Sequence, residues 1–295
     1  MITASQVKEL REKTGAGMMD CKRALEETSG DLDKAVDWLR EKGIAKAAKK
    51  AGRIAADGLT RCKVSGNLAV VYEINSETDF VAKNDQFQEL LDLSGNALLQ
   101  AAPKSLQEAL EAPVNNRTVG DYVTDATAMI GEKITLRRFE LVSKTEDEVF
   151  GSYIHMGGKI AVIVKLSTGA SAEVAKDMAM QVASMNPSYI SRKDMPVEYI
   201  DHERNIQREI IKNDELLAAK PEKVREGIME GRLSKQLQEI SLVDQIYFKN
   251  QDLKVSEVLK QEKAEVLSFV RYMVGEGIEK KEDNFAEEVA NTFSH

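Results

Sequence analysis

The amino-acid sequence predicts an α+β protein in which a helical N-terminal bundle precedes two related units of strands and helices. Three observations support this class. Short amphipathic helical patterns separated by glycines occupy residues 1–55, an apolar β-branched segment occurs twice at an offset of 92 residues, and charged helical patterns occupy residues 197–237. Helices segregated to one face of antiparallel sheets are typical of α+β folds.

The composition is that of a globular protein, with 42% hydrophobic and 31% charged residues. No apolar run approaches the roughly 18 residues that a membrane span needs, and the N-terminus resembles neither a secretory signal nor a transit leader. The two thiols, Cys21 and Cys62, lack CxxC spacing, which suits a reducing compartment. We therefore expect a cytoplasmic protein with no membrane partner.

The charge is unevenly distributed along the chain. The formal net charge is −8, and residues 1–55 carry 12 Lys and Arg against nine Asp and Glu, which leaves about −11 for the remainder. Because affinity for a phosphate backbone is largely electrostatic, we expect no direct nucleic-acid partner. Residues 42–53 contain five basic and no acidic residues. They form either a solvated linker helix or a contact with an acidic partner or RNA.

The first 55 residues predict three short helices in a compact bundle. Thr3 or Ser5 can cap the first helix, and Asp31 can cap the third. The second helix begins after a Gly-Ala-Gly turn, with Met18 and Met19 at its start. These two thioethers either fill the small core or form an adaptable binding surface.

An internal repeat organises the middle of the chain. Residues 66–75 and 158–167 match position by position in apolar pattern, and each copy follows a predicted strand and turn and precedes a predicted helix. A further β-rich segment follows each copy, at residues 133–142 and 239–248. We interpret the pattern as two β-β-α-β units, each a small antiparallel sheet with helices on one face.

The loop after the first copy, residues 75–84, carries an aromatic residue that the turn does not need. It places Phe80 beside Asp79 at a strand-to-helix junction, whereas the equivalent residues 170–173 of the second copy include no aromatic. Phe80 therefore either contacts a partner or is tucked under a capping box formed by Ser76 and Asp79.

Two features follow the repeat. Charged helical patterns at residues 197–212 and 221–237 predict a protruding antiparallel hairpin, whose thin apolar content favours pairing with another copy. Residues 255–274 predict one amphipathic helix, and residues 283–293 predict a last helix that includes Phe285. That last helix either docks on the core of this protein or binds a partner.

The sequence lacks the patterns of a catalytic or metal site. Gly157-Gly-Lys159 lies in a predicted hairpin turn rather than between a strand and a helix. The three histidines, His155, His202 and His295, are far apart and lack metal-ligand spacing. We expect no cofactor, and a macromolecule-binding protein rather than an enzyme.

Four motifs together resemble the bacterial translation elongation factor Ts family, and the first and third are highly specific. They are Arg11–Leu25, Ala47–Gly52, Asn75–Lys83 with its Thr-Asp-Phe-Val, and Val274–Lys280. The resemblance implies an N-terminal domain similar to ubiquitin-associated domains, a core of two subdomains, a coiled-coil arm through which two copies can pair, and a C-terminal helical module. The implied bounds, in that order, are 1–54, 55–142, 143–184 with 236–254, 185–235, and 255–295.

The resemblance also implies a function, which is guanine-nucleotide exchange on elongation factor Tu. It places Thr78, Asp79, Phe80 and Val81 near the magnesium site of that partner, with Phe80 wedged between helices. It assigns further partner contacts to Lys8, Arg11, Met18, Met19, Ile130, Gly131, Glu132, His155 and Phe285. The chain departs from the family pattern at Lys133, where we expect asparagine, and at the turn of residues 156–158.

Two rival functions fit parts of the sequence. One is a non-catalytic adaptor that uses its N-terminal bundle to bind a ubiquitin-like or helical partner, and such an adaptor would leave GDP release from elongation factor Tu unchanged. The other is an RNA- or ribosome-binding protein that uses residues 42–53, which predicts steep salt dependence of RNA binding.

Overall fold

The computed structural model describes residues 2–279, which form an α+β protein of helices and small sheets. The residues divide into two compact units. The first comprises residues 2–61, 72–140 and 272–279, and the second comprises residues 62–71 and 141–271. None of the helices in the described part of the chain is long and apolar enough to cross a membrane.

The N-terminal residues form the three predicted helices, α1 Ala4–Thr14, α2 Met18–Glu27 and α3 Leu32–Lys50. The side chain of Thr3 accepts the Gln6 N–H in a capping box, and Asp31 accepts the Lys34 N–H at the start of α3. Gly15 ends α1 in the left-handed conformation, at φ 69°. The small core between the helices consists of Leu10, Cys21, Ala24, Leu25 and Ala35, all fully buried.

A three-stranded sheet follows, and its strands coincide with the predicted β segments. The elements in chain order are β1 Asp57–Ser65, β2 Leu68–Ser76, α4 Asp85–Ala101, α5 Leu106–Glu111, β3 Pro113–Val114, β4 Arg117–Thr118, α6 Val119–Ile130 and β5 Thr135–Ser143. The strand order is β1-β2-β5. The fully buried Tyr72 of β2 donates a hydrogen bond of 2.7 Å from its hydroxyl to the Leu91 carbonyl, which fixes α4 on this sheet.

The second unit contains the other copy of the repeat. Strand β6 Val149–His155 pairs antiparallel with β7 Ile160–Leu166, and α7 Ala172–Met185 covers them. The helix approaches β6 at Gly151, where a Cβ atom would lie 1.8 Å from the Ala175 carbonyl oxygen. Glycine is required there because any side chain would collide with the backbone of α7.

The predicted helical hairpin is present and belongs to the second unit. It consists of α8 Val197–Asn213, the short α9 Glu215–Ala218, and α10 Glu222–Ile240. At its base Met195, Leu233 and Leu237 are buried together. Farther out, polar contacts join the helices, including a 3.1 Å ion pair between Arg204 Nε and Glu230 Oε1.

Two predictions for the C-terminal third are wrong. Residues 239–248 do not supply the third strand of the second sheet, because α10 extends to Ile240 and only Ile246–Tyr247, β8, pairs in a small hairpin with β9 Asn250–Lys254. Residues 255–274 are not one helix, because α11 Val255–Gln261 is followed by a strand, β10 Val266–Met273. That strand completes the second sheet, in the order β10-β7-β6.

The error at β10 has a physical reason. Val266, Phe269, Val270 and Met273 have helical spacing, but β-branched and aromatic residues also favour strands, and a short apolar segment does not distinguish the two. Lys263 adopts φ 54°, which ends the helix before this segment begins. The predicted last helix at residues 283–293, with Phe285, lies outside the described residues.

Candidate functional site

The loop after β2 presents an aromatic ring to solvent. Residues Asp79–Lys83 form a short 3₁₀ helix, within which Phe80 is 83% exposed while its neighbour Val81 is buried. Asn84 then accepts the N–H groups of the first residues of α4 and starts that helix. The loop is therefore anchored through Val81, and the large apolar side chain beside it has no cover from its own unit.

The alternative in which Phe80 is tucked under a capping box is wrong. The Ser76 hydroxyl donates to the Thr78 carbonyl at 2.7 Å, and the N-cap of the short helix is Thr78, which makes no side-chain capping bond. The carboxylate of Asp79 is exposed. An exposed phenylalanine on a surface turn is unfavourable for the isolated protein, and isolated apolar side chains of this size are typical of binding hot spots.

Two carboxylates join this loop to the turn after α6. The Glu132 carboxylate accepts the Thr78 N–H at 2.9 Å and the Thr78 hydroxyl at 2.6 Å. In the opposite direction, the Glu77 carboxylate accepts the Lys133 N–H at 2.6 Å and the Arg53 guanidinium at 3.2 Å. The structure thus brings Glu132 next to Thr78, although the two residues are 54 positions apart in the chain.

The neighbouring residues Ile130 and Gly131 form the end of α6. Gly131 caps the helix at φ 84°, and its N–H donates to the Thr127 carbonyl. The predicted contact residues Ile130, Gly131 and Glu132 therefore lie directly beside the Phe80 loop on the first unit. The family resemblance predicts that these residues contact the partner, and their position beside the Phe80 loop is not part of that prediction.

A groove on the N-terminal bundle gathers four further predicted residues. It has a volume of about 600 Å³ and lies between α1 and α2, with Lys8, Arg11, Met18 and Met19 in its lining. Met18 and Met19 are 58% and 67% exposed, so they do not fill the bundle core. Adaptable thioethers bordered by cations fit a partner surface that carries apolar and acidic groups.

His155 lies on the second unit, at the end of β6. Its Nδ1 is 3.4 Å from the Tyr153 hydroxyl, and the two rings are 5.7 Å apart. The next residue, Met156, is exposed at the tip of the hairpin with φ 49°.

Sequence reasoning also missed a buried ionic cluster around Glu73. This carboxylate is fully buried on β2 and accepts bonds from Arg137 at 3.0 Å, Arg138 at 2.6 Å and the Gly275 N–H at 2.7 Å. Burial opposes ionisation, but the bonds from Gly275, Asn75 and Arg138 hold the pKa of Glu73 below its usual value. The cluster fixes the Val274–Gly277 part of the fourth motif to the first sheet.

The described residues were compared with the composition that a metal site needs. Among residues 2–279, no group of three or more His, Cys, Asp or Glu side chains could hold a metal ion. The candidate site consists of two surface features, an exposed ring on an anchored loop and an apolar groove with a cationic border.

A comparison with known families identifies the family of the chain. The family model described as elongation factor Ts matches residues 77–276, a span that begins one residue before the Thr-Asp-Phe-Val loop and ends within the fourth motif. The match covers more than half of the 295 residues. The chain therefore belongs to the elongation factor Ts family, the nucleotide-exchange factors of elongation factor Tu.

Proposed function

We propose that residues Thr78–Val81 enter elongation factor Tu and disturb its Mg²⁺ and phosphate site, so that GDP leaves and GTP can bind. The observation that carries this proposal is the exposure of Phe80, 83%, on a loop whose backbone is fixed by hydrogen bonds and by the buried Val81. A rigid loop can transmit force to a partner, and an exposed ring supplies the apolar area that binding would bury.

The mechanism follows from the way in which P-loop GTPases such as elongation factor Tu hold their nucleotide. Mg²⁺ and the phosphate-binding loop together neutralise and orient the phosphates. A ring wedged between the helices that border this site moves the groups that hold Mg²⁺, and the phosphates then lose much of their stabilisation. The exchange factor makes and breaks no covalent bond and needs no cofactor of its own.

Other surfaces provide affinity in this proposal. Lys8, Arg11, Met18 and Met19 in the N-terminal groove contact the GTP-binding domain, and so do Ile130 and Gly131, whereas Glu132 acts through its bonds to Thr78. His155 contacts a different domain of the partner. Phe285, outside the described residues, contributes through the C-terminal module.

The coupling between the two ligands is reciprocal. If this protein weakens GDP binding to elongation factor Tu by some factor, GDP must weaken the binding of this protein by the same factor. Incoming nucleotide therefore displaces the exchange factor, which can act repeatedly.

The domain organisation belongs to the same proposal. The exchange factor comprises a domain similar to ubiquitin-associated domains at 1–54, core subdomains at 55–142 and at 143–184 with 236–254, an arm at 185–235 and a C-terminal segment at 255–295. Within that last segment, β10 belongs to the second core sheet. The arm exposes Ile206 and Ile210 along α8 and can pair with a second copy. The protein acts in the cytoplasm, without direct nucleic-acid contact.

Release of a fluorescent GDP analogue from elongation factor Tu, followed by stopped flow, tests the proposal. The release rate should rise with the concentration of this protein and reach a plateau. A rate independent of this protein, combined with retention of elongation factor Tu in a pull-down, would favour the adaptor function instead. An exchange factor should release its partner in that pull-down when excess nucleotide is added.

A further inference from the structure

The position of Phe80 depends on hydrogen bonds from outside its loop. The short helix of residues 79–83 has no side-chain capping bond at its start, and Phe80 itself is exposed and does not anchor it. Val81 provides the one buried apolar side chain among residues 78–81. The bond from the Ser76 hydroxyl to the Thr78 carbonyl is local, so the hydrogen bonding of the Thr78 N–H and hydroxyl is what ties the start of this helix to the rest of the unit.

Glu132 supplies that hydrogen bonding with both oxygens of its carboxylate. One oxygen accepts the Thr78 N–H at 2.9 Å, and the other accepts the Thr78 hydroxyl at 2.6 Å. Because the carboxylate is half-buried and both oxygens are engaged within the protein, it acts on the loop rather than being held free for a partner.

The attachment is reinforced from the other side. Glu77, one residue before Thr78, accepts the N–H of Lys133, one residue after Glu132, at 2.6 Å. The Lys133 ammonium in turn donates to the Arg53 carbonyl at 2.8 Å. The two backbone segments are thus joined by reciprocal carboxylate-to-amide bonds, which resist rotation of the loop about a single contact.

We propose that Glu132 is a positioning residue that pre-orients Phe80 for insertion into the partner through its two bonds to Thr78. This inference rests on the exchange function proposed above. A ring that is already oriented loses less conformational entropy on binding. Ordering one side chain costs about 1 kcal/mol, which corresponds to about a fivefold change in affinity. Without the Glu132 carboxylate the loop would also lose its fixed direction, so we expect GDP release to be about tenfold slower.

Two substitutions at position 132 separate positioning from charge. Glu132→Ala removes both acceptors and should slow GDP release about tenfold. Glu132→Gln can accept the Thr78 N–H with its amide oxygen and donate its amide N–H to the Thr78 hydroxyl oxygen, so it should remain within about twofold of wild type.

Amide hydrogen exchange of Thr78 in the free protein gives a readout that does not involve the partner. The Thr78 amide should be protected in wild type and in Glu132→Gln, and should exchange faster in Glu132→Ala, with thermal unfolding checked for each variant. Glu108→Ala is the matched control. Its carboxylate accepts the Lys104 N–H at 2.8 Å elsewhere in the same unit, and its loss should leave GDP release unchanged.

The outcomes distinguish this inference from the function on which it rests. Wild-type release in Glu132→Ala, or an equally protected Thr78 amide in that variant, would overturn the positioning role while the exchange function stood. Equal losses in Glu132→Ala and Glu132→Gln would also overturn it, because they would show that the negative charge itself matters. If wild-type protein fails to accelerate GDP release, the exchange function fails and the positioning role falls with it.

Discussion

Replacing Phe80 with alanine should impair exchange severely while leaving the fold intact. The ring is 83% exposed, so its removal costs the isolated protein no more than a typical surface substitution, about 0.5 kcal/mol or less. Almost all of its apolar area remains available for burial in a partner. Full burial of a phenylalanine side chain contributes about 1.5–3 kcal/mol, and a loss of about 2 kcal/mol corresponds to roughly thirtyfold.

The assay is the concentration dependence of GDP release from elongation factor Tu by stopped flow. The Phe80→Ala protein should show a lower plateau rate, a higher half-saturating concentration, or both, with a combined loss of about thirtyfold. Leu106→Ala, which removes a partly exposed apolar side chain from α5 in the same unit, should behave as wild type. An unimpaired Phe80→Ala protein would refute the wedge mechanism.

Three further predictions concern other parts of the first unit. Glu73→Gln should lower the free energy of unfolding at neutral pH by about 3 kcal/mol, because it removes the buried anion that faces Arg137 and Arg138 and leaves Arg138 only its 3.2 Å ion pair with the more exposed Glu276. Met19→Lys should weaken binding to elongation factor Tu, measured by titration calorimetry, by about 1–2 kcal/mol without changing the melting temperature, since Met19 is exposed. Gly275→Ala should destabilise the protein by more than about 1 kcal/mol in urea, because its Cβ would lie 2.2 Å from the Ala56 carbonyl oxygen at φ 74°.

The effect of Glu73 should also depend on pH with a defined sign. Since its pKa is lowered in the folded protein, its contribution to stability is present above the ordinary carboxyl pKa of about 4.5 and is lost as the pH falls through the lower folded value. Glu73→Gln should therefore flatten the acid side of the stability profile. The exposed Glu89, changed to Gln, is the matched control and should leave that profile unaltered, and a wild-type-like profile for Glu73→Gln would contradict the assignment.

Local signals predicted the parts of the fold that local interactions determine. Capping residues such as Thr3 and Asp31, the left-handed glycine at position 15 and the apolar periods of the arm helices all act within a few residues, and the structure contains each of them. The repeat at residues 66–75 and 158–167 located the central strands, because residues 69–72 and 74 of the first copy and the equivalent residues 161–164 and 166 of the second are all buried.

The parts that the sequence did not predict depend on distant partners. Residues 266–273 are a strand because the edge of β7 is available to pair with them, and nothing in their own spacing requires it. The bonds of Glu132 to Thr78 and of Glu73 to Arg138 join positions 54 and 65 residues apart. Pattern analysis along the chain cannot detect such pairs, so the supports of the Phe80 loop became visible only in three dimensions.

The residues of the candidate site also differ in how far the sequence alone predicts their roles. Phe80 was noticed from the sequence because the second copy of the repeat lacks an aromatic at the equivalent position. Its exposure agrees with a partner-binding role, and its action on the partner stays a prediction. Met18 and Met19 are already a possible binding surface on the sequence alone, whereas Lys8, Arg11 and His155 are assigned contacts only by the family resemblance. The structure brings Lys8, Arg11, Met18 and Met19 together in one groove, and what they bind stays a prediction.

The most direct test of the central claim is the Mg²⁺ dependence of the exchange. GDP release from elongation factor Tu should be measured with and without this protein, once in excess Mg²⁺ and once after chelation of Mg²⁺. If the loop acts by disturbing the Mg²⁺ site, this protein should accelerate GDP release strongly in the presence of Mg²⁺ and much less after chelation. Chelation already removes the ion that the loop would otherwise displace. The same acceleration under both conditions would contradict the account.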